Sequence, residues 1–170
     1  ADFSVLTKDR KYGHIKYSQL TLIDIVGLNE DTDDMSQAIK EQTDLAIEEA
    51  DYLLFVVDAI DGLLPTDKEI AKSLRKQNKA ITLLINKADN TRLEEASAEF
   101  NSLGFKKSIF LSASHNKGFG DLRDLLSDYD ELVMTEDSIE DSSIKISIIG
   151  RPNAGKSTLV NALIGEERLV

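Results

Sequence analysis

The chain has 170 residues, 41% of them apolar, and a formal net charge of −11 with an isoelectric point near 4.6. That is material for one cored domain, or for one domain and a piece of another, and the acidic balance disfavours non-specific attraction to nucleic-acid phosphate. It has no cysteine, which excludes disulfides and thiolate chemistry and fits a reducing, cytoplasmic compartment. No apolar run reaches about 18 residues, so no membrane span is expected.

Residues 14–26, HIKYSQLTLIDIV, hold two short strand candidates that read as a hairpin. Residues 35–50 carry helical spacing, and YLLFVVDA (52–59) is a nearly continuous apolar run, as in a strand buried on both faces. PTDKEIAKSLRKQ (65–77) opens with Thr66 and Glu69 at capping-box spacing. AITLLI (80–85) is a second buried strand, and RLEEASAEFNSLG (92–104) is a helix stopped by Gly104. SIFLSA (108–113) is a further strand, and FGDLRDLLSDY (119–129) a helix. Residues 128–143 then carry seven acidic and no basic side chains, which reads as a solvated linker. After it come a strand, IKISIIG (144–150), and a helix from Lys156 to Ile164. Repeated β–α units with short connections imply an α/β fold, a mostly parallel sheet covered by helices.

Four motifs sit at strand ends. Gly150 to Ser157, GRPNAGKS, matches G-x-x-x-x-G-K-[ST] between a strand and a helix. Its glycines let successive N–H groups face phosphate oxygens, Lys156 reaches the outer phosphates, and the Ser157 hydroxyl suits magnesium. The following helix adds its positive N-terminal end. NKAD (86–89) follows a buried strand, and a carboxylate at Asp89 can accept the N1–H and exocyclic amine of guanine together. SAS (112–114) follows the next strand, where the Ala113 N–H could meet the guanine oxygen. DIVG (24–27) offers Asp24 to magnesium through water and the Gly27 N–H to a γ-phosphate. Thr7, upstream in VLTKDRKYG, is placed to complete the magnesium shell around a triphosphate. The nucleotide-binding candidates are therefore Asn153, Ala154, Gly155, Lys156, Ser157 and Thr158, Asn86, Lys87 and Asp89, and Ser112, Ala113 and Ser114. Ser157, Thr7 and Asp24 are the metal candidates, and Lys156, Thr7 and Gly27 the catalytic ones. Asp58 and Asp61 read as a polar strand end and turn, and His115 as a loop residue beside the base site. No His/Cys cluster has metal-ligand spacing.

Together, LTKDRKYG, LIDIVGL, AIEEADYLLFVVDA, INKAD, SAS, the acidic stretch and ISIIGRPNAGKSTLVNALIGEERL resemble the EngA (Der) family, bacterial GTPases with two GTPase domains in tandem. The resemblance covers nearly the whole chain. It implies a P-loop GTPase-type three-layer fold, guanine-nucleotide binding, magnesium-dependent GTP hydrolysis and a part in assembling the large ribosomal subunit. It also implies that the phosphate loop comes last because the chain runs from the first domain's switch region to the second domain's phosphate loop. On that reading residues 1–127 are a GTPase domain without its own N-terminal phosphate loop, 128–143 an acidic linker, and 144–170 a strand–helix unit of the next domain, in circularly permuted order. A permuted single domain is the rival reading of the same order.

In this sheet type the strand before the phosphate loop is central. Without it, residues 1–127 would leave unpaired backbone groups in the middle of the sheet. Residues 144–165 are thus expected to fill the gap, within one chain or by exchange between two in a dimer. A linker of about 16 residues spans at most about 50–60 Å, ample for the return. Leu28 stands where many regulatory GTPases carry a water-positioning Gln. A nucleotide-binding docking module with negligible hydrolysis is therefore the alternative. Asn153 within the loop points to potassium as an additional cation, as in similar GTPases.

Overall fold

The computed structural model describes residues 10–14, 20–25, 34–90, 93, 95, 97–135 and 144–165. Among them run β1 (Arg10–His14), β2 (Leu20–Ile25), α1 (Asp34–Glu49), β3 (Tyr52–Asp58), α2 (Pro65–Arg75), β4 (Ala80–Asn86), a 3₁₀ helix (Ser97–Leu103), β5 (Lys107–Phe110), α3 (Phe119–Thr135), β6 (Ile144–Ile149) and α4 (Lys156–Ile164).

The six strands form one sheet in the order β1-β2-β6-β3-β4-β5. Only the β1–β2 pair is antiparallel; β6 lies parallel to both of its neighbours, β2 and β3. The last strand of the chain is therefore an interior strand of the sheet. Ile146 and Ile148 of β6 face one apolar layer and Ile149 the other, all three at 0% exposure. One layer packs β3 residues Leu54 and Val56 against α3 and α4 through Leu122, Leu126, Leu159 and Val160. The other packs Leu53, Phe55 and Val57 against α1 and α2 through Ala46, Ile47, Ile70 and Leu74. That strict alternation along β3 is the two-residue pleat of a strand covered on both faces.

Helix ends differ from the sequence reading in informative ways. The Thr66/Glu69 capping box does not open α2. The helix starts at Pro65 with Leu64 as N-cap, and the Asp67 carboxylate accepts the Leu64 N–H at 3.0 Å. Pro65 has φ set for the first helical position and no N–H to satisfy, so it moves the start forward. Of the helix expected over 92–104, Leu93 and Glu95 are α-helical, and Ser97–Leu103 is a 3₁₀ helix, ended by Gly104 at φ +77°. Helix α3 runs on to Thr135, eight residues into the stretch expected as linker. No Gly or Pro interrupts it there, and the Tyr129 ring packs at a tilt against Tyr52 with centroids 4.5 Å apart. The hairpin expected over 14–26 is the antiparallel β1–β2 pair, with its first strand shifted earlier, to Arg10–His14.

No helix among the described residues is long and apolar enough to cross a membrane.

Candidate functional site

Parallel pairing brings the carboxyl ends of β2, β6, β3 and β4 to one edge of the sheet. In register, Asp24 lies opposite Ile148, and Asp58 opposite Asn86. Ligands of open α/β sheets gather at this edge.

The phosphate loop leaves β6 at Gly150. A Cβ there would stand 2.4 Å from the Val56 carbonyl oxygen, so glycine lets the loop pass over β3. Asn153 and Gly155 both take left-handed backbone, at φ +66° and +97°. The first helical bond of α4 runs from Leu159 N–H to the Gly155 carbonyl at 2.9 Å. A helix start leaves the N–H groups of Lys156, Ser157 and Thr158 without intrahelical acceptors. The loop thus presents a row of donors and the positive end of a helix to one point.

Lys156 is 8% exposed, and its ammonium donates to the carbonyls of Gly150 at 2.8 Å and Arg151 at 3.0 Å. Burial pulls its pKa below the ordinary lysine value; Asp24 opposes this and Arg151 adds to it. Ser157 Oγ donates to Asp24 Oδ2 at 2.8 Å. Hydroxyl and carboxylate oxygens suit magnesium. Among the described residues no group of three or more His, Cys, Asp or Glu side chains is placed to hold a metal ion.

Asn86 ties three segments together. Its Nδ2 donates to the Ala154 carbonyl at 2.8 Å, and its Oδ1 accepts the Ala113 N–H at 3.0 Å. The amide is 2% exposed, so both ends need partners. The Ala113 N–H expected to meet guanine is engaged here by Asn86. Lys87, at φ +63°, reaches back to Asp58 Oδ2 at 2.7 Å and to the Asn153 carbonyl at 2.9 Å. Leu111 binds the Ile85 carbonyl, and Ala88 binds the Leu111 carbonyl; these bonds set residues 112–114 beside 86–89. Asp89 Oδ1 is buried and accepts no hydrogen bond. His115 Nδ1 is 3.3 Å away, close enough for an ion pair when the ring is protonated but not aligned as a donor. A buried carboxylate oxygen with no donor is costly, and it fits a base edge that supplies N–H groups. The hydroxyls of Ser112 and Ser114 each lie 3.1 Å from that same His115 nitrogen.

Thr7 and Gly27 lie outside the described residues. Asp24, Asn86, Lys87, Asp89, Ser112–Ser114 and the phosphate loop come together at one edge. The sequence reading took Asp58 for no more than a polar strand end or turn. Burial alone would raise its carboxyl pKa, but Lys87 and the N–H groups of Asp61 and Ile60 outweigh that and hold it below the usual carboxylate value. It also passed over the partners of Arg151. The available signal was a lone Asp closing an otherwise apolar buried strand, which implies a buried cationic partner.

The chain matches the family model described as "50S ribosome-binding GTPase" over residues 1–87 and 145–170. It is 44% identical over 173 residues to GTPase Der of Acinetobacter baumannii (strain AYE), covering 100% of this chain and 37% of that relative. It is 43% identical to GTPase Der of Marinomonas sp. (strain MWYL1), covering 40% of that relative. Against GTPase Der of Legionella pneumophila (strain Lens) identity is 40%, over 37% of the relative's length. The chain therefore spans 37–40% of the length of these relatives.

Proposed function

Because the chain belongs to the 50S ribosome-binding GTPase family, we propose that it binds GDP and GTP at the carboxyl edge of its sheet and hydrolyses GTP with magnesium, in the cytoplasm, in the service of large-subunit biogenesis. The observation that carries this is the 2.8 Å bond between Ser157 and Asp24, which joins the phosphate loop to the strand that leads into DIVG. The N–H groups at the start of α4 and the Lys156 ammonium bind the β- and γ-phosphates. To do so Lys156 exchanges two carbonyl partners for phosphate oxygens, gaining a charge partner that burial makes valuable. Ser157, Asp24 and, by motif, Thr7 would hold the cation, which would offset charge on the phosphates. Asp89 takes the guanine N1–H and amine, Asn86 fixes the loops on either side, and the motif assigns the Gly27 N–H to the γ-phosphate.

Leu28 offers no hydrogen bond to an attacking water, so hydrolysis by this stretch of chain is expected to be slow without further help. Potassium held beside Asn153 is one such source: turnover should be faster in potassium than in sodium at equal ionic strength, and Asn153→Ala should abolish the difference. The alternative, a docking module that binds nucleotide without turning it over, is favoured by the same Leu28. Phosphate release from GTP against an ATP control decides. Release from GTP alone supports the enzyme reading, tight GDP and GTP binding without release supports the module, and neither binding nor release would refute both.

A further inference from the structure

Arg151 is the second residue of the phosphate loop, a place where a guanidinium is at hand for the anion; its contacts lie elsewhere. Its terminal nitrogen donates to Asp61 Oδ2 at 2.8 Å and lies 3.9 Å from Asp58 Oδ2. Its Nε is 3.5 Å from Asp67 Oδ1. Arg151 is 8% exposed, Asp58 2% and Asp67 0%. The three carboxylates come from the end of β3, the turn after it and the first turn of α2. Lys87 bridges the same Asp58 to the Asn153 carbonyl. The loop is thus fastened to one acidic wall at two points, Arg151 and Asn153, immediately before the residues that present their N–H groups.

Stability alone explains this arrangement poorly. Burying an ion cluster costs desolvation that its attractions offset only with full hydrogen bonding, and apolar replacements of similar volume are often as stable. Here the bonding is incomplete: Arg151 Nε and Asp67 Oδ1 are both buried and neither has a hydrogen-bond partner. What such a fork of donors does supply is direction, since a planar guanidinium held by several carboxylates has few orientations.

We propose that Arg151, held by Asp58, Asp61 and Asp67, is a positioning residue of the phosphate loop: it fixes the loop backbone for the β-phosphate and does not itself touch the nucleotide. The proposal rests on residues 150–157 being the phosphate site. Losing the anchor loosens the loop where it wraps the β-phosphate and leaves the base edge, built on Asn86 and Asp89, as it was.

The test is competition of GDP and GMP against a fluorescent GDP analogue on the full chain, for wild type, Asp61→Asn, Arg151→Lys and Lys156→Ala. The Asp61 side chain is 49% exposed, so Asp61→Asn should fold, and its thermal midpoint verifies this. GDP affinity should fall about tenfold in Asp61→Asn and Arg151→Lys, the scale of one charge-assisted hydrogen bond. GMP, which lacks the β-phosphate, should change by less than about twofold. Wild-type GDP affinity in both variants overturns the proposal, as does an equal loss of GDP and GMP, the signature of a merely structural role. Lys156→Ala separates the two levels. If it keeps GDP affinity, the phosphate-site reading falls and this proposal with it; if it loses GDP while Asp61→Asn and Arg151→Lys do not, this proposal alone falls.

Discussion

Ser157 Oγ donates to Asp24 Oδ2 across 2.8 Å, although the two residues are 133 positions apart. Asp24 ends up there because β2 pairs with β6 in parallel, so both strands deliver their carboxyl ends to the same point.

Asp24→Ala removes the carboxylate and leaves the Ser157 hydroxyl on the loop. As a residue acting on the cation through water, Asp24 should contribute about 10- to 100-fold to magnesium affinity. Nucleotide titrations across a magnesium series should show that loss with GTP. An unchanged magnesium dependence would remove Asp24 from the metal site.

Asp89→Asn exchanges a double acceptor for an amide. Guanine loses two charge-assisted hydrogen bonds of about 1.5–3 kcal/mol each, so GDP affinity should fall by about a hundredfold or more. Xanthine nucleotide, which offers a carbonyl in place of the amine, should gain. Equal binding of GDP before and after substitution would show that Asp89 does not read the base.

Lys156 gives a pH signature. Burial lowers its pKa in the folded chain below the ordinary 10.5. Between that lowered value and 10.5 the unfolded chain binds more protons than the folded one, so stability rises with pH through that window. Denaturant midpoints of wild type prepared without nucleotide should climb as pH rises toward 10.5, and Lys156→Met should lack the climb. Parallel curves for the two proteins would contradict the burial of a charged amine here.

Gly150→Ala places a Cβ 2.4 Å from the Val56 carbonyl oxygen, where backbone rather than a flexible side chain must yield. Overpacking of this kind costs about 1–3 kcal/mol, or roughly 2–12 °C in melting temperature for a chain of this size. GDP binding should weaken alongside. A variant with wild-type melting temperature and affinity would mean that β6 is not pressed against β3.

Much of this protein is written locally. The runs YLLFVVDA and AITLLI are apolar throughout because their strands are covered on both faces, and that pattern is readable without a fold. GRPNAGKS, NKAD and SAS are each legible as motifs at a strand end without a fold, but the Ala113 N–H of SAS, expected to face guanine, is taken by Asn86, a partner that no local pattern shows. What tertiary structure alone decided is how distant pieces meet. The anchoring of Arg151 is invisible in sequence because its partners, Asp58, Asp61 and Asp67, stand some 90 residues earlier and look like ordinary strand-end, turn and helix-start acids. The role of Asn86 as a bridge between Ala154 and Ala113 depends on the register of β4 beside β3 and β5. The extension of α3 to Thr135 hides inside an acidic run whose composition reads as solvated, because the contact that anchors it, Tyr129 on Tyr52, is made across the fold. Local composition sets which groups are available; only the sheet's parallel register, by bringing several strand ends to one edge, determines which of them share a site.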